Sequence, residues 1–523
     1  MDFLLLITYN NPKDMWLSNP QKEFDKLLKT VEKNEIVDAL VSGSDPAGDL
    51  DMLKLAYDFA FEAHKGQNRV SGEPYIIHPL ATAQKLAEMK LDITTIIAGL
   101  LHDVPEDTEK TLEDIETNFG HDTAKLVAGI TKLGQLKYRG MERYAENLRK
   151  MFVAMSDDIR VILIKFADRL HNLKTLDALP PEKKFRIAKE TLEIYAPIAD
   201  RLSIGKIKGE LEDLAFKYVY PEDYKWINKI IPGEYRAKER YLEKIKDEVR
   251  KKLAQSNIKT SEISLQGRTK HLYSLYKKLL RPEINRDISR VYDLIALRLI
   301  VPTVTDCYNV LGILHSMYRP MPGRIKDYIA NPKPNGYQSL HTTVFADDGE
   351  VVEFQIRTND MHDLAEYGIA AHWNYKETGG KLNARNMKWL NELVEWQKQI
   401  KDNDQFLQTI KFDIFQNRIF VFTPKGDVID LPEGATPIDF AYYVHSNLGD
   451  KCVGSKVNDQ LVNLGYQLKS GDIVEIIIDK NRKAPNPDWL EMAKTSVAKS
   501  KIRAGINRNK DPFKLLKNIK IIK

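Results

Sequence analysis

The sequence predicts a multidomain chain: an all-α domain first, an α+β domain in the middle and a small β-rich module last. Three observations carry this. From about Met52 to Tyr220, apolar residues recur at three- and four-residue spacing, as in Leu53, Ala56, Tyr57 and Ala60, the period of helices buried along one stripe. Between Ile263 and Asn374, β-branched runs separated by Pro/Gly loops replace that pattern. Short strands with turn signals follow, at Thr423-Pro424-Lys425-Gly426-Asp427 and at Leu468-Lys469-Ser470-Gly471-Asp472. With 523 residues the chain exceeds one core, and at roughly 100–200 residues per domain three or four units are expected.

In chain order, residues 1–50 read as an N-terminal extension and 51–220 as the helical domain. Pro180-Pro181 and Pro232-Gly233 punctuate the helices, and a charged helix from Tyr235 to Gln255 lies in a linker, 221–262. The α+β domain takes 263–380, a connector with a helix near Asn386 to Lys401 takes 381–414, and the β-rich module takes 415–480. Residues 481–523 begin another helical region, whose tail from Lys499 to Lys523 holds nine Lys/Arg against one Asp.

Composition limits the function. A content of 43% hydrophobic and 29% charged residues is that of a soluble globular protein. A net charge of +5 is too mild to imply nucleic acid without a local basic footprint. Cys307 and Cys452 stand far apart and offer neither a disulfide framework nor zinc spacing, as in a reducing cytosol. The apolar opening Met1 to Tyr9 lacks a basic start and a small-residue cleavage site and reads as a start-site extension. No run approaches the ~20 apolar residues that span a bilayer. A cytoplasmic chain without membrane contact is expected.

Two constellations carry chemistry. In the helical domain, His78, then His102-Asp103 closing the apolar stretch Ile96 to Leu101, then Asp168 stand at the edges of apolar helices. A buried, unpaired carboxylate is costly, and a divalent cation removes that cost. Two imidazoles with two carboxylates suit Mn²⁺, Fe²⁺ or Zn²⁺ better than an all-oxygen Ca²⁺ or Mg²⁺ site. Glu106 and Asp107 lie one turn onward, available to orient or deprotonate water. The alternative is that these side chains cap helices or satisfy core polar groups. His121-Asp122 reads as a helix start after Gly120, and His362-Asp363 has no ligand partners in register.

In the α+β domain, Gly267 to Leu279 reads as a helix with Leu272, Leu275, Tyr276 and Leu279 on one stripe and Lys270, Ser274, Lys277 and Arg281 on another. No acid balances its cations, which suits polyphosphate, although a solvated face is the alternative. Val351 to Arg357 alternates: Val352, Phe354 and Ile356 face one way, and Glu353, Gln355 and Arg357 the other. Asp293 opens a buried run ending at Arg298, and alternation sets Tyr337, Ser339 and His341 on one side. Two carboxylates from different strands, cations and an aromatic face are what Mg²⁺-nucleotide transfer needs.

The string His64-Lys65-Gly66-Gln67-Asn68-Arg69-Val70-Ser71-Gly72-Glu73-Pro74-Tyr75, with His78, His102-Asp103 and Asp168, resembles the HD hydrolase domain of RelA/SpoT proteins. The resemblance implies Mn²⁺ on His78, His102, Asp103 and Asp168, water activation by Glu106 and Asp107, and nucleotide contact by Arg69, Asn172 and Thr175. Val70 departs from the Lys or polar residue many members carry, which bears on one phosphate contact. Synthetase-only relatives lack the metal ligands that this chain keeps.

Gly267-Arg268-Thr269-Lys270, Tyr292-Asp293-Leu294, Arg324-Ile325-Lys326-Asp327-Tyr328, Asn335 to Thr342 and Glu353 to Arg357 together resemble the RelA/SpoT synthetase domain, a nucleotidyltransferase-like fold. This implies Mg²⁺ on Asp293, with Glu353 supporting it or deprotonating a ribose 3′-hydroxyl. Nucleotide binding would fall to Arg268, Lys270, Ser274, Lys277, Arg298 and Lys326, with Lys333, Asn335, Gln338 and His341 near a guanine-stacking Tyr337. The basic loop Arg324-Ile325-Lys326-Asp327 is the version found in bifunctional members. Phe420 to Glu475 resembles a TGS module, a β-grasp fold that in the family meets tRNA, with His445 at the matching position. The implied function is synthesis of (p)ppGpp from ATP and GDP or GTP, opposed by its hydrolysis, with the helix around 235–255 coupling the two. Uncharged tRNA or the ribosome are the implied macromolecular partners. The alternatives are a single working head, or a tRNA- or ribosome-binding regulator with vestigial enzyme domains.

Overall fold

The computed structural model describes residues 19–42, 46–134, 141–256, 262–291, 293–333, 335–346, 349–372, 418–482 and 484–510. Two units divide the chain, Met1–Gln399 and Ile400–Lys523. The helix expected near Asn386 to Lys401 lies outside the described residues. Among the described residues no helix is long and apolar enough to cross a membrane.

The first unit opens with helices α1 (Pro20–Ser42), α2 (Pro46–Ala63), α3 (Ile77–Glu88), α4 (Ile93–Leu101), α5 (Val104–Asp107) and α6 (Leu112–Gly134). They continue with α7 (Met141–Asp157), α8 (Arg160–Lys174), α9 (Pro181–Glu190), α10 (Ala196–Arg201), α11 (Gly205–Val219) and α12 (Pro221–Ala254). The sequence Ile-Thr-Thr-Ile-Ile-Ala-Gly-Leu-Leu has no polar stripe, so α4 is buried from Thr95 to Leu101 among α2, α3, α6 and α8. Gly99 lets α3 close on it: a Cβ there would stand 2.3 Å from the Leu86 Cδ1. The close approach packs α3 against the end of α4 that leads into His102. Gly120, at φ 84°, breaks α6 so that His121 starts a new helical segment, as its sequence suggested.

A six-stranded sheet follows: β1 (Ser264–Thr269), β2 (Ile295–Val301), β3 (Arg319–Pro320), β4 (Lys326–Asp327), β5 (Leu340–Phe345) and β6 (Val351–Thr358). Helices α13 (Leu272–Leu279), α14 (Val304–Met317) and α15 (Asn359–Tyr367) intervene. The order is β1-β2-β6-β5-β3, with β4 also on β5, and only β2 and β6 run parallel. Alternation divides the faces as β6 required. Leu297, Leu299, Val352, Phe354 and Ile356 join Ile227, Ile245 and Val249 of α12 and Val310 of α14 in one core. Each large apolar side chain buried there contributes about 1.5–3 kcal/mol. Arg268, Arg298, Glu353, Gln355 and His341 share the other face through the registers Arg268↔Ala296↔Glu353 and Arg298↔Gln355↔His341.

Three local expectations are corrected. Gly267–Thr269 is not helical: it lies in β1, where ladder bonds to β2 outweigh local periodicity, and α13 starts only after His271. Lys270 is therefore in the strand–helix turn and Arg281 beyond the helix end. Pro232-Gly233 does not break the chain; α12 runs through both, held by its core-facing Ile227, Ile231, Leu242 and Ile245. Alternation begins at Leu340, so Ser339 does not join Tyr337 and His341; it is buried and its hydroxyl donates to the Ile356 carbonyl.

The second unit pairs β7 (Arg418–Phe422) with β8 (Val428–Pro432) across the Thr423–Asp427 turn. Helices α16 (Pro437–Val444) and α17 (Ser446–Asp450) lead to a sheet of β9 (Cys452–Val457), β10 (Gln460–Val462) and β11 (Val474–Ile478). Asp439 closes a capping box with Thr436 and accepts from the Lys494 and Thr495 amides, tying α16 to the segment between α18 (Trp489–Met492) and α19 (Ser496–Lys510). The exposed His445 caps α17 by accepting from the Asn447 amide.

Candidate active sites

The first site forms where α3, α4 and α8 meet. His78 is the second residue of α3, His102 ends α4, Asp103 precedes α5 and Asp168 lies inside α8. Ligand atoms of His78, His102 and Asp103 fall within 4.8 Å of one another. The His78 Nε2 stands 3.4 Å from Asp103 Oδ2 and 3.3 Å from Asp168 Oδ1, and His102 Nε2 stands 3.2 Å from Asp103 Oδ1. Donors on one tetrahedral cation at about 2.0–2.2 Å are about 3.3–3.6 Å apart, close to these spacings, and the group of mutually close donors comprises His78, His102 and Asp103, with Asp168 beside it at His78.

The hydrogen bonds set the tautomers. His102 Nδ1 donates to the Gly99 carbonyl at 2.8 Å, which leaves its buried Nε2 without a hydrogen-bond partner and with its lone pair toward the cluster. His171 Nδ1 accepts from Arg69 at 3.1 Å and from the His78 Nδ1 at 2.9 Å, so His78 too presents a bare Nε2. Burial and the His78 and Arg69 charges hold His171 well below the usual imidazole range, and thus neutral. Burial alone would raise Asp168, but the Lys165 ammonium, 2.6 Å away, holds it well below the carboxylate range.

Around the cluster, Arg69 donates to Asn172 Oδ1 at 2.6 Å, Asn172 donates to Asp168, and the Thr175 hydroxyl donates to the His171 and Asn172 carbonyls. These residues line a 430 Å³ pocket with Tyr75 and Lys165. Val70 is exposed at its rim, 78% accessible. Arg69 is presented by a tight loop in which its amide donates to the Glu73 carbonyl, with Gly72 at φ 92°. Glu106 and Asp107 are solvent-facing. Burial and the Asp103 charge push the Glu106 carboxyl upward, which suits a group that takes and returns a proton. Asp107 accepts from the Tyr75 hydroxyl at 2.5 Å, and Tyr75 also bridges to Asp103 at 3.1 Å.

The second site covers the polar sheet face. Asp293 accepts from Lys270 at 2.7 Å and Lys278 at 2.6 Å; burial opposes ionisation, yet the two ammonium groups bring it down to about 2. Glu353 accepts from Gln355 at 3.0 Å and faces His341 Nδ1 at 3.4 Å. Arg268 donates to Gln355 at 3.0 Å. Arg298 and Arg357 converge on Glu366 at 2.9 and 3.0 Å, and burial together with the neighbouring guanidinium draws Arg298 down to about 10. Tyr337 donates to or accepts from His341 Nε2 at 2.8 Å, and Lys333 sits over the Tyr328 and Tyr337 rings at 4.8 and 5.0 Å. Lys326 pairs with His341 through the sheet, and Gln338 donates to the Ile329 carbonyl.

Three expected nucleotide ligands are engaged by the helical half. Lys277 donates to Glu212 of α11 at 2.8 Å, and the Ser274 hydroxyl meets the same carboxylate at 3.3 Å. The Asn335 carbonyl accepts from Ser203. Asp213 beside Glu212 accepts from His271 at 2.8 Å and from the Tyr273 amide at 2.9 Å. Helix α11, through Glu212 and Asp213, thus makes the bonds to Lys277, Ser274, His271 and the Tyr273 amide. Sequence reading missed Lys165 and His171, though both lie on the Asp168 face of α8 at three-residue spacing, and it missed Tyr75 inside a string it had noted. Glu212 and Glu366 carry no local signal, because their partners arrive from other elements.

Known proteins bear on this arrangement. The chain matches models of the HD domain over residues 56–205, of a region found in RelA/SpoT proteins over 267–380, and of the TGS domain over 419–478. It is 49% identical over 474 residues to a GTP pyrophosphokinase of Myxococcus xanthus, covering 90% of this chain and 62% of that one. It is 50% identical over 452 residues to a guanosine-3′,5′-bis(diphosphate) 3′-pyrophosphohydrolase of Aquifex aeolicus, covering 86% and 64%. The chain thus spans less than two thirds of those two relatives. Against the bifunctional (p)ppGpp synthase/hydrolase SpoT of Escherichia coli, identity is 46% over 490 residues, covering 93% of this chain and 68% of that one. A helical HD region, a mixed sheet carrying the RelA/SpoT region and a TGS module, in that order and at that identity, make this chain a member of the RelA/SpoT family.

Proposed function

We propose that the chain both makes and degrades (p)ppGpp. One observation carries the reading: a cluster of possible metal ligands beside a 430 Å³ pocket among helices, and a cation-rich polar sheet face carrying Asp293 and Glu353, occur in one unit. His78, His102, Asp103 and Asp168 would hold Mn²⁺, and Asp293 with Glu353 would hold Mg²⁺. The orphaned His102 Nε2 supports the first assignment. When bound, these ions would supply a polarised water at one site and charge neutralisation on phosphates at the other.

In degradation, Arg69, Asn172 and Thr175 bind the nucleotide. Glu106 accepts the proton of the attacking water, with Asp107 and Tyr75 fixing its position. The new bond forms to the phosphorus on the ribose 3′-oxygen, the bond to that oxygen breaks, and Glu106 returns the proton to the 3′-oxygen, freeing pyrophosphate and GDP or GTP. In synthesis, Glu353 accepts the proton of the GDP or GTP 3′-hydroxyl. The freed oxygen bonds to the ATP β-phosphorus, and the bond from there to the bridging α–β oxygen breaks, releasing AMP. Arg268, Lys270, Lys277 and Arg298 hold ATP, while Tyr337 stacks on guanine beside Lys333 and His341. The second unit and the basic stretch after Lys499 are assigned to tRNA or ribosome contact, and the chain to the cytoplasm, in keeping with two buried, free cysteines.

Labelled ATP incubated with GDP, followed by a Mn²⁺ chase, tests the pair of activities. Asp103→Ala should abolish degradation and spare synthesis, and Glu353→Ala should do the reverse; matching losses in both variants would refute two sites. A second reading, in which only degradation runs, is favoured by Glu212 occupying Lys277 and Ser274. The same incubation decides it, since that reading forms no AMP.

A further inference from the structure

A second cationic cavity, of about 860 Å³, lies away from both sites, bounded by α1, the C-terminal end of α3 and the start of α11. Lys22, Lys26, Lys29 and Lys33 recur on α1 at spacings of four, three and four residues, which puts them on one face. At about 1.5 Å per residue this face runs roughly 16 Å. The buried stripe Phe24, Leu27 and Val31 holds the helix against the core and turns that face to the cavity. Lys90, held at φ 58° just past α3, and Lys206 on α11 close the opposite wall.

The charges are unbalanced. Among the described residues no carboxylate lies within 4.0 Å of any of these six ammonium groups. Three carboxylates share the walls: Glu88 is engaged by Gln84 at 3.2 Å and by Lys85 at 3.9 Å, Asp25 accepts from Gln21, and Glu23 lies in the first turn of α1. Six ammonium groups against three carboxylates leave the space net cationic, and that excess costs free energy through mutual repulsion unless an anion enters. Its walls hold no arginine and no aromatic ring, so they offer neither bidentate forks nor a stacking platform for a base. Ammonium groups are point charges that suit phosphate oxygens along a chain. The volume falls within the range of small-molecule pockets, about 300–1,000 Å³.

We propose that this cavity binds a phosphate chain, either free or as the tail of a nucleotide, through Lys22, Lys26, Lys29, Lys33, Lys90 and Lys206. The ligand would sit at the seam between the two halves of the unit, since Lys206 also lies over the Tyr367 ring at 5.6 Å.

Calorimetric titration of the full chain with inorganic tripolyphosphate tests this. The double variant Lys26→Glu/Lys29→Glu changes two exposed side chains and should keep the fold, which its melting curve checks. One binding event should disappear from it, or weaken about tenfold or more, while the same event persists in Arg69→Ala and in Lys270→Ala. A milder variant, Lys22→Gln/Lys33→Gln, should weaken the event without reversing charge. Displacement of tripolyphosphate from the cavity by ATP identifies a nucleotide tail as the source; no displacement identifies the free chain. The proposal is overturned if the double variant keeps every event at unchanged affinity, or if orthophosphate at equal ionic strength gives the same heat.

Discussion

Replacing Glu212 with glutamine should loosen the hold of the helical half on the sheet-borne site and tighten ATP binding there. Glu212 is buried, 4% exposed, and its carboxylate takes Lys277 at 2.8 Å and Ser274 at 3.3 Å. Glutamine keeps the size and an acceptor oxygen but removes the charge. A hydrogen bond to a charged group is worth about 1.5–3 kcal/mol, a neutral one about 0.5–1.5. The Lys277 side chain is 48% exposed, so solvent screening brings the difference down to about 1 kcal/mol. That corresponds to about a fivefold gain in the availability of Lys277. The assay is the initial rate of AMP formation against ATP concentration at saturating GDP, read as KM. The Glu212→Gln enzyme should show a KM for ATP about threefold to fivefold lower, with degradation unchanged. Lys277→Met should raise that KM, and in its background Glu212→Gln should do nothing further. The reasoning fails if KM is unmoved by Glu212→Gln, or if it falls equally with Lys277 absent.

Further outcomes follow from other contacts. Burial would lower His271, but Asp213 raises it overall, so the ion pair is fully present below the unfolded imidazole pKa and is lost as pH rises through the elevated folded value. The melting temperature of the natural protein should therefore exceed that of His271→Gln more at pH 6 than at pH 9. At Gly368, φ is +56° and a Cβ would meet the Leu202 carbonyl oxygen at 2.2 Å, so Gly368→Ala should cost about 2 kcal/mol or more in denaturant unfolding. Gly349→Ala, at φ +84° with open space around it, should cost only about 1 kcal/mol. After dialysis against a chelator, Mn²⁺ at a hundred times its dissociation constant should stabilise the protein by about 2.7 kcal/mol. His102→Ala should lose most of that gain; an equal gain in the variant would move the ion elsewhere.

Much of this architecture is legible in the sequence, because it rests on periodicity and on short local strings. The apolar stretch Ile96 to Leu101 announces a buried segment, and its end then has to place His102-Asp103 beside something that satisfies them. The alternation of Val351 to Arg357 divides the sheet into a packed face and a polar one before any partner strand is known. What misleads is pairing at a distance. Gly267 to Leu279 has a helical stripe, yet β2 captures its first three residues. Ser339 fits an alternation that starts one residue later, and its hydroxyl is drawn to the Ile356 carbonyl. Pro232 and Gly233 look like punctuation, but the core around Ile231 and Leu242 carries α12 through them. The roles of Glu212, Asp213 and Glu366 depend wholly on which helix lands beside which cation, a matter no window of the chain encodes.

The two halves touch backbone to backbone near Gly205 and Gly368. A Cβ on Gly205 would press on the Ala365 carbonyl at 2.7 Å, just as one on Gly368 would press on Leu202. Anyone building chimaeras from related chains inherits that restriction: a donor half bearing a side chain at either place cannot be grafted without parting the joint. Exchange of one catalytic half for another should therefore succeed only when the transplanted half carries glycine at its own one of these two places.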